Sequence, residues 1–510
     1  MLSKYCLKAQ NALFSRVSMR SISVKHSQIK PTNTQLLING KFVDSVEGKT
    51  FATINPTTEE KIADIQEAGV HDVDLAVKAA RKAFDEGPWR LTTPAERRRL
   101  INNLADLIEK NLPEIAALET LDNGKPFNTA CMDVGFGVEI LRYYAGYTDK
   151  ILGNVIPISG PYLAYTKIEP VGVCGFIVPW NFPFLMSIMK IAPALAACNT
   201  VILKPAENTP LTALKLAQII SEVGFPEGVF NLLPGYGHIT GDALVRHKGV
   251  DKIAFTGSTD VGKKIIMTGG IKRVTLELGG KSPNIILNDA DLDAAVQNTH
   301  IFSFLNSGQF CMSPSRIFIQ EGIYDEFVKR LTHFAGLKKV GDPFEDGIDN
   351  GPQISSKQVE RIMGYIEKGK QEGANLVLGG TKPNKKGYFV DTTIFTDVQD
   401  HMTIAKEEIF GPCLAVSKFS TIDEVVRRAN ENTYGLAAGV FTSDLENAIE
   451  ISHNLKCGAV FVNQYMSLNS TTPFGGYKNS GVGRELGHLG IEAYTESKTV
   501  IIKRSPNTLP

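Results

Sequence analysis

A single cysteine lies in residues 306–316, a stretch of small and polar residues that follows the apolar run 301–305. A cysteine thiolate is a strong nucleophile, but free cysteines are also common as inert side chains of the core. No histidine lies near Cys311 in the sequence to serve as the base of a protease-type pair. Cys311 is therefore either a core residue or a nucleophile assisted by another kind of group.

Two other residues carry groups that acyl transfer requires. Glu277 ends the apolar strand in "TLELGGKSPN", where a carboxylate is either hydrogen-bonded for structural reasons or kept at a raised pKa as a general base. The two glycines that follow leave room for water or a ligand. Asn181 has a side-chain amide that can stabilise an oxyanion. Thiol, carboxylate and amide form a workable set, although their spacing does not show that they meet.

The other cysteines and the histidines show no metal-binding pattern. The seven cysteines, at positions 6, 131, 174, 198, 311, 413 and 457, contain no CxxC pair, and the nine histidines never fall at HxxxH spacing. A disulfide framework and a zinc site are both disfavoured. We expect no metal in the chemistry.

Composition and charge limit the classes of function. The chain has 510 residues, of which 43% are hydrophobic and 21% charged, which is typical of a globular protein of two or three domains. Lys plus Arg and Asp plus Glu both number 54, so no nucleic-acid partner is indicated. No apolar run reaches the roughly 18–20 residues of a membrane span, so no membrane partner is expected.

The first 30 residues differ from the rest in composition. They carry six basic side chains and several serines, the first acidic residue of the chain is Asp44, and apolar residues recur at helical spacing. This pattern is typical of a mitochondrial transit peptide, although a disordered basic tail has a similar composition. The prediction is removal after import, with cleavage between positions 20 and 30, and a mature protein in the mitochondrial matrix.

From residue 171 onward, short β-branched runs alternate with helices of ten or more residues. This alternation predicts parallel strands with right-handed crossovers, that is, a doubly wound α/β domain. A second α/β region follows over residues 282–486, while residues 149–169 and the chain end are rich in strand signals and fit oligomerisation elements. Doubly wound sheets bind ligands at the carboxyl ends of their strands.

Two of these strand ends carry groups suited to a nucleotide. The segment "FTGSTDVGKK" resembles a phosphate loop, but Lys264 stands where Ser or Thr must hold magnesium, so an NTPase is disfavoured. Ser258 is either a phosphate-binding helix start or an ordinary N-cap. Glu207, beside Lys204, could accept both hydroxyls of an adenosine ribose, or the two could be a solvated pair. The GxGxxG fingerprint is absent, because "GYGHITG" has one residue too many.

Seven segments together resemble the NAD(P)-dependent aldehyde dehydrogenase superfamily. They are "VPWNFP", "LKPAENTPLTAL", "FTGSTDVG", "VTLELGGKSPNI", "SGQFC", "EEIFGP" and "PFGGYKNSGVGRELG", and they stand in the family's order over residues 178–487. The similarity extends from "LINGKFVDS" to "AYTESKTV". Within the superfamily, the chain most resembles the class of mitochondrial acetaldehyde and cytosolic retinal dehydrogenases.

The resemblance implies a role for each candidate residue. Cys311 would attack the aldehyde as a thiolate, and the Asn181 amide and the Cys311 backbone N–H would hold the oxyanion of the thiohemiacetal. After hydride transfer to NAD, Glu277 would activate the water that hydrolyses the thioester to a carboxylic acid. The resemblance implies a cofactor site that comprises Pro179, Trp180, Lys204, Glu207, Gly237, Gly241, Ser258, Gly279, Glu408 and Phe410.

The resemblance also implies a domain division and an assembly. Residues 31–148 and 170–281 would form the NAD-binding domain, residues 282–486 the catalytic domain, and residues 149–169 and 487–510 the oligomerisation element. A homotetramer built as a dimer of dimers is expected. Glu207 favours NAD over NADP, because it would repel a 2′-phosphate.

The sequence departs from the family pattern around the nucleophile. Phe310 and Met312 stand where the closest relatives often have cysteines, and Ser313-Pro314 replaces an Ala-Gly pair. The acetaldehyde enzymes narrow their channel with aromatic residues, at positions that are aliphatic here: Met189, Ile301, Leu305 and Leu468. Phe184, Phe310 and Phe474 compensate in part. We therefore expect a wide channel for apolar aldehydes, either long aliphatic or bulky ones.

A protein of another class is the alternative hypothesis. The chain could be a non-catalytic NAD-binding or structural protein that kept this fold without its chemistry. The presence of Cys311, Glu277 and Asn181 together argues against that hypothesis. Relatives that acylate coenzyme A generally lack the base that Glu277 supplies. Thiol-esterase activity is expected as a side reaction, because acylation and hydrolysis need no hydride step.

Overall fold

The computed structural model describes residues 29, 31 and 33–505. Apart from Ile29, the predicted transit peptide lies outside the described residues. The described residues form twenty strands: β1 (Leu36–Ile38), β2 (Lys41–Val43), β3 (Thr50–Ile54), β4 (Lys61–Gln66), β5 (Val155–Ile156), β6 (Tyr162–Pro170), β7 (Val173–Ile177), β8 (Thr200–Lys204), β9 (Phe230–Leu232), β10 (Lys252–Thr256), β11 (Arg273–Glu277), β12 (Pro283–Ile286), β13 (Arg316–Gln320), β14 (Asn375–Leu378), β15 (Thr393–Thr396), β16 (Cys413–Phe419), β17 (Ala437–Phe441), β18 (Ala459–Val462), β19 (Gly481–Val482) and β20 (Thr495–Lys503).

Fifteen α-helices accompany the strands in the described part of the chain. They are α1 (Val70–Asp85), α2 (Pro94–Lys110), α3 (Leu112–Asn123), α4 (Phe127–Ala145), α5 (Pro183–Ala196), α6 (Leu211–Val223), α7 (Asp242–Arg246), α8 (Thr259–Thr268), α9 (Leu292–Ser303), α10 (Tyr324–Gly336), α11 (Ser356–Gln371), α12 (Thr403–Lys406), α13 (Ile422–Asn430), α14 (Leu445–Asn454) and α15 (Gly487–Glu492). Helix α2 begins with a capping box, in which Thr93 and Glu96 bond each other's backbone N–H.

The first sheet has eight strands in the order β19-β11-β10-β7-β8-β9-β1-β2, and its five central strands are parallel. Every residue of β7, β8 and β10 is buried, as expected for parallel strands covered on both faces. Cys174 and Phe176 of β7 face a core that includes α5 and α6, while Val173 and Ile177 face a second core with α1. Helices on both faces make this the doubly wound fold that the alternation predicted.

The second sheet has seven strands in the order β14-β15-β16-β13-β12-β17-β18, all parallel except β14. Strands β5, β6 and β20 form a separate antiparallel sheet, which joins residues 149–169 to the end of the chain. The α/β architecture with two parallel sheets and a small β element is therefore confirmed. Strand β19, which falls within residues 282–486, nevertheless pairs with β11 of the first sheet.

The amino-terminal hairpin is shorter than its alternating sequence suggests. Asn39 and Gly40 have φ of 52° and 75° and link β1 to β2, as is typical of an Asn-Gly hairpin turn. The alternation continues into residues 50–54, but β3 pairs with β4 rather than extending the hairpin. A turn closed by the bond from Gly48 N–H to the Ser45 carbonyl separates the two pairs of strands.

Candidate active site

The carboxyl ends of five adjacent parallel strands of the first sheet carry most of the predicted site residues. Each of β9, β8, β7, β10 and β11 is followed by one group of them: Gly237 and Gly241 after β9, Lys204 and Glu207 at β8, Pro179, Trp180 and Asn181 after β7, Ser258 after β10, and Glu277 and Gly279 at β11. Residues far apart in sequence therefore share one edge of one sheet. This is the edge at which open α/β sheets bind ligands.

Lys204 is the most constrained of the predicted ribose-binding residues. Its side chain is buried, its ammonium donates to the Pro205 carbonyl at 2.7 Å, and it lies 3.6 Å from the Glu207 carboxylate. Burial lowers the pKa of Lys204, and the charge of Glu207 opposes that shift. The Glu207 side chain is 37% exposed, so its oxygens are open to a ligand. A Cβ at Gly241 would lie 3.6 Å from the Lys204 side chain.

Ser258 occupies the N-cap of α8, as the sequence predicted. Its hydroxyl accepts from the Val261 N–H at 3.4 Å, and the side chain is exposed. The Gly257 N–H, just before Ser258, donates to the Glu277 carbonyl at 3.0 Å and so joins the ends of β10 and β11. The cap explains Ser258 locally. An open helix start of ten residues also suits a phosphate, because its backbone N–H groups point outward.

The nucleophile loop comes from the second sheet, just before β13. It follows a 3₁₀ turn, Leu305–Gly308, in which Asn306, Ser307 and Gly308 have φ of 50°, 57° and 74°. Three successive left-handed residues are uncommon outside functional turns, because only glycine adopts this region freely. A Cβ at Gly308 would overlap the backbone of Gly411. This turn presents Cys311 toward the edge of the first sheet.

Buried hydroxyl groups hold the loop where it departs from the family pattern. Ser313 Oγ donates to the Ser303 carbonyl at 3.1 Å, and Ser303 Oγ donates to the Pro314 carbonyl at 3.0 Å. The Tyr465 hydroxyl donates to the Met312 carbonyl at 2.7 Å. Ser313-Pro314 is therefore an anchored part of the loop. Ser303 and Tyr465 were not identified from the sequence, because no local signal marks either residue.

Asn181 lies against the nucleophile loop. The side-chain Nδ2 of Asn181 donates to the Gln309 backbone carbonyl at 3.1 Å. The backbone carbonyl of Asn181 accepts from Asn306 Nδ2 at 2.8 Å. The side chain is buried, and a primary amide has two N–H groups. One N–H of Asn181 is used by the loop, and the other is available to an oxyanion beside Cys311.

Glu277 is a buried carboxylate, 3% exposed, and neither of its oxygens has a hydrogen-bond partner in the described part of the chain. Burial raises its pKa well above the ordinary value. The charge of Glu485 adds to this shift, while Lys190 and Arg484 oppose it. A Cβ at Gly475 would lie 2.9 Å from Glu277 Oε1, so that glycine leaves space beside the carboxylate. A raised pKa makes a carboxylate a stronger base, which is a property that a general base needs.

The link from β11 to β12 brings the two sheets together. A Cβ at Gly279 would lie 2.5 Å from Glu408 Oε2, and a Cβ at Gly280 would overlap the Cys311 carbonyl oxygen. The Gly280 N–H donates to Glu408 at 3.0 Å. Burial raises the pKa of Glu408 to about 7, while this bond and nearby cations oppose the shift. Phe410 lies two residues after Glu408. Its ring packs edge-on against the Trp180 ring, with 5.3 Å between the ring centres.

The Cys311 thiol lies at this junction and is partly exposed. Burial raises its pKa, and the negative charges of Glu408 and Glu277 raise it further, while the backbone N–H groups of Met312 and Cys311 lower it. The raised pKa favours the protonated thiol, and a positive charge brought beside Cys311 would favour the thiolate, which is the nucleophilic form.

Lys190 and Glu485 form a buried ion pair close to Glu277, and this pair was not identified from the sequence. Lys190 Nζ donates to Glu485 Oε1 and to Thr256 Oγ1, each at 2.7 Å, and both charged side chains are buried. Lys190 lies in the middle of an otherwise apolar helix α5, which is the one signal that could have drawn attention to it. Its charge partner is 295 residues away, so spacing could not have paired them.

Most of the aliphatic and aromatic residues expected to line the channel belong to the same apolar core as Cys311. Phe184, Phe310, Phe474 and Met189 are buried in the apolar core against which Cys311, Leu305 and Leu468 pack. Ile301 is 44% exposed and lies outside this cluster.

Among residues 33–505, no group of His, Cys, Asp and Glu has the arrangement of a metal site. Within the same range, no helix is long and apolar enough to cross a membrane.

Comparison with known proteins agrees with this geometry. A family model described as the aldehyde dehydrogenase family matches residues 42–500. Mitochondrial aldehyde dehydrogenase of Homo sapiens is 52% identical over 496 residues, which is 96% of each chain. Aldehyde dehydrogenase 1A1 of Gallus gallus is 52% identical over 480 residues, 93% of this chain and 94% of the relative.

A solved structure extends the comparison to the fold. The NAD⁺ complex of aldehyde dehydrogenase from Bacillus cereus superposes with a TM-score of 0.92 at 50% identity, covering 94% of this chain and 98% of that one. Sequence and fold therefore agree over nearly the whole length. The chain belongs to the aldehyde dehydrogenase family, and it is an enzyme of that family.

Proposed function

We propose that the protein oxidises apolar aldehydes to carboxylic acids with NAD, through a covalent bond to Cys311. The observation that carries the proposal is the closeness of three groups where the two sheets join: the Cys311 thiol, the Asn181 amide and the buried Glu277 carboxylate, which has no hydrogen-bond partner in the described part of the chain. Each of the three groups has a step in aldehyde oxidation. Membership in the aldehyde dehydrogenase family supports the overall reaction.

Cys311 begins the reaction as the nucleophile. Its thiolate attacks the aldehyde carbon, the C–S bond forms, and the carbonyl oxygen becomes the oxyanion of a thiohemiacetal. The second N–H of Asn181 and the backbone N–H of Cys311 donate to that oxyanion. Donors fixed before the reaction are effective here because the surroundings are apolar and need little reorganisation.

Glu277 completes the reaction after oxidation has left a thioester on Cys311. Its carboxylate accepts a proton from water as the water oxygen attacks the thioester carbon, and the thiolate leaves as the carboxylic acid is released. The raised pKa of Glu277 makes it a stronger base than an exposed glutamate. The space beside Gly475 and the two glycines after Glu277 give water access to the carboxylate.

NAD fits the residues at the edge of the first sheet. When bound, NAD accepts the hydride that leaves the thiohemiacetal carbon. Lys204 and Glu207 would hold the adenosine ribose, and the start of α8 at Ser258 would hold a phosphate. The absence of a side chain at Gly279 leaves the Glu408 carboxylate uncovered on that side. The Bacillus cereus structure is named as an NAD⁺ complex, which supports the same cofactor here.

The remaining cofactor residues would frame that site. We assign Pro179, Trp180, Gly237, Gly241 and Phe410 to its walls, because they follow β7 and β9 or pack onto Trp180. Glu207 favours NAD over NADP, because its carboxylate would repel a 2′-phosphate. We further propose residues 31–148 and 170–281 as the NAD-binding domain and 282–486 as the catalytic domain. Residues 149–169 and 487–510 form the oligomerisation element.

We propose a homotetramer. Large apolar side chains are exposed on β5, β6 and β20, including Val155 and Ile501, and on α8 and the turn after it, including Met267 and Ile271. Apolar surface of this extent is typical of subunit interfaces. Light scattering that gave the mass of one chain would contradict the proposal.

We propose a mitochondrial location. Similar relatives from several mammals are named mitochondrial aldehyde dehydrogenases, although relatives named aldehyde dehydrogenase 1A1 are equally similar. The basic, acid-free first 30 residues favour the mitochondrial alternative. Sequencing the amino terminus of the native protein tests the proposal, which fails if the chain still begins at Met1.

Glu277→Gln is expected to separate the two halves of the reaction. The variant should form a burst of about one NADH per active site and then turn over roughly 10²–10⁴-fold more slowly than wild type, because only thioester hydrolysis needs the base. NADH absorbance at 340 nm measures both phases. Cys311→Ala should form no NADH, while Cys457→Ala, which removes another partly exposed thiol, should behave as wild type. Folded wild-type protein without turnover would favour the non-catalytic alternative.

Glu485→Gln is expected to shift the acid side of the pH–rate profile. The charge of Glu485 raises the pKa of Glu277, and the rate rises with pH as Glu277 loses its proton. Removing that charge lowers the pKa of Glu277, so the acid limb of kcat should move to lower pH. Glu326→Gln, at an exposed carboxylate on α10, is the control. An acid limb that stays in place would contradict the role of Glu277 as the titrating base.

Long aldehydes are expected to be better substrates than acetaldehyde. Each buried CH₂ contributes about 0.8 kcal/mol, so hexanal and decanal should show kcat/KM at least tenfold above that of acetaldehyde. Leu468→Phe should narrow the channel and reduce this preference, whereas Leu337→Phe, at an exposed leucine, should not. Equal kcat/KM for acetaldehyde and hexanal would contradict the wide-channel hypothesis.

A further inference from the structure

The segment that carries Asn181 is bonded to the end of helix α3. Asn123 Nδ2, at the last residue of α3, donates to the Trp180 carbonyl at 2.7 Å and reaches the Asn181 carbonyl at 3.4 Å. Asn306 of the nucleophile turn donates to the same Asn181 carbonyl. The backbone of Asn181 is therefore held from α3 on one side and from the nucleophile loop on the other.

A cluster of three buried charged side chains lies next to the segment that contains Asn181. Lys125 Nζ donates to Glu119 Oε1 at 2.7 Å and to Asp133 Oδ2 at 2.6 Å, and all three residues are buried. The second oxygen of Glu119 accepts from the Phe184 N–H at 3.3 Å, in the first turn of α5. The charge cluster is thus bonded to the chain three residues after Asn181.

The same ammonium group also lies behind the nucleophile. Lys125 Nζ is 4.3 Å from the centre of the Phe182 ring, which is a cation–π contact. The Phe182 ring packs edge-on against Phe310 at 5.6 Å, and Phe310 directly precedes Cys311. Lys125 therefore contacts Phe182, which directly follows Asn181. Through the Phe182 ring it is also linked to Phe310, which directly precedes Cys311.

A sharp turn makes this placement possible. Gly124 has φ of 88°, and a Cβ there would lie 2.7 Å from the Pro352 ring. The turn directs Lys125 back toward α3. There the side-chain oxygen of Asn123 accepts a hydrogen bond from the backbone N–H of Lys125 at 3.2 Å. Asn123 and Lys125 are thereby held in one arrangement on either side of Gly124.

Stability alone does not account for three buried charges. A buried ion pair contributes little net stability relative to apolar side chains, because desolvation offsets the Coulomb attraction. Burial lowers the pKa of Lys125, but the charges of Asp133 and Glu119 more than offset this and raise it. A buried ammonium group that keeps its charge holds its partners in fixed directions, which apolar side chains cannot do.

We propose that Lys125, together with Glu119 and Asn123, positions the Asn181 amide and the Phe310–Cys311 backbone for oxyanion stabilisation. This inference rests on the proposed function. None of the three residues reaches the reacting atoms, so each acts through Asn181 or Phe182. Their contribution appears in kcat rather than in KM for NAD, because the oxyanion exists only after the nucleophile has attacked.

A double-mutant cycle between Lys125 and Asn181 tests the inference. Lys125→Met keeps the length of the side chain and removes its charge, and it is expected to lower kcat about 10–100-fold in both the dehydrogenase and the esterase reactions. In an Asn181→Ala background, the same change should lower kcat less than about threefold, because the amide that Lys125 positions is already gone. Lys125→Arg, which keeps the charge, should recover part of the loss.

Lys252→Met is the matched control. Lys252 is also buried, donates to Thr275 Oγ1 at 2.6 Å and lies 4.8 Å from the centre of the Tyr494 ring. It stands at the first residue of β10, at the opposite end of the strand from the site. Its replacement should lower kcat by the same factor, or not at all, in wild-type and Asn181→Ala backgrounds.

The possible outcomes separate the inference from the proposed function. Equal losses on Lys125→Met in both backgrounds, or no loss in either, overturn the inference while the proposed function stands. Folded wild-type protein without aldehyde oxidation overturns both. If circular dichroism shows that Lys125→Met does not fold, the same cycle with Asn123→Ala decides, because that change leaves the three charged side chains in place and removes the side-chain bonds to Trp180, Asn181 and the Lys125 backbone N–H.

Discussion

The close approach of two sheets at Gly279 and Gly280 is the constraint on which the site depends. Glu277 ends strand β11 of the first sheet, and strand β12 of the second sheet begins six residues later, at Pro283. Between them, a side chain at Gly279 would meet Glu408, and one at Gly280 would meet the Cys311 carbonyl. Without these two glycines, the proposed base, the nucleophile loop and the Glu408 segment could not share one small volume. The carboxyl edge of one parallel sheet and the loops of the other thereby form a single site.

Burial of charged groups is the second feature of this junction. Glu277 and Glu408 are carboxylates with raised pKa, and Lys190 and Glu485 form an ion pair close to Glu277. A low dielectric strengthens every interaction among these groups, so small displacements change proton affinity strongly. Among residues 33–505, Glu277 has no hydrogen-bond partner, which costs stability and is typical of groups that must accept a proton during a reaction.

Much of the fold and many of the site positions could be predicted from the sequence. Alternating strands and helices indicate parallel strands whose ends meet at one edge, so a shared edge for the segments at Asn181, Lys204 and Ser258 was predicted from the pattern. The pattern did not show that Cys311, Glu277 and Asn181 meet. The Lys190–Glu485 pair did not, because no local signal connects residues 295 apart. The left-handed backbone at Asn306 and Ser307 was also missed, since neither residue is a glycine that would mark it. The hydroxyl contacts of Ser303, Ser313 and Tyr465 depend on packing that a pattern does not record.

The most direct test of the account is to identify the covalent intermediate on the protein. Glu277→Gln protein mixed with NAD and hexanal, then quenched in acid and digested, should show a hexanoyl group by mass spectrometry. The account predicts this group on the peptide that contains Cys311, formed in step with NADH and absent without NAD. NADH formation without a hexanoyl group at Cys311, or with the group on another cysteine, would contradict the assignment of the nucleophile and the site built around it.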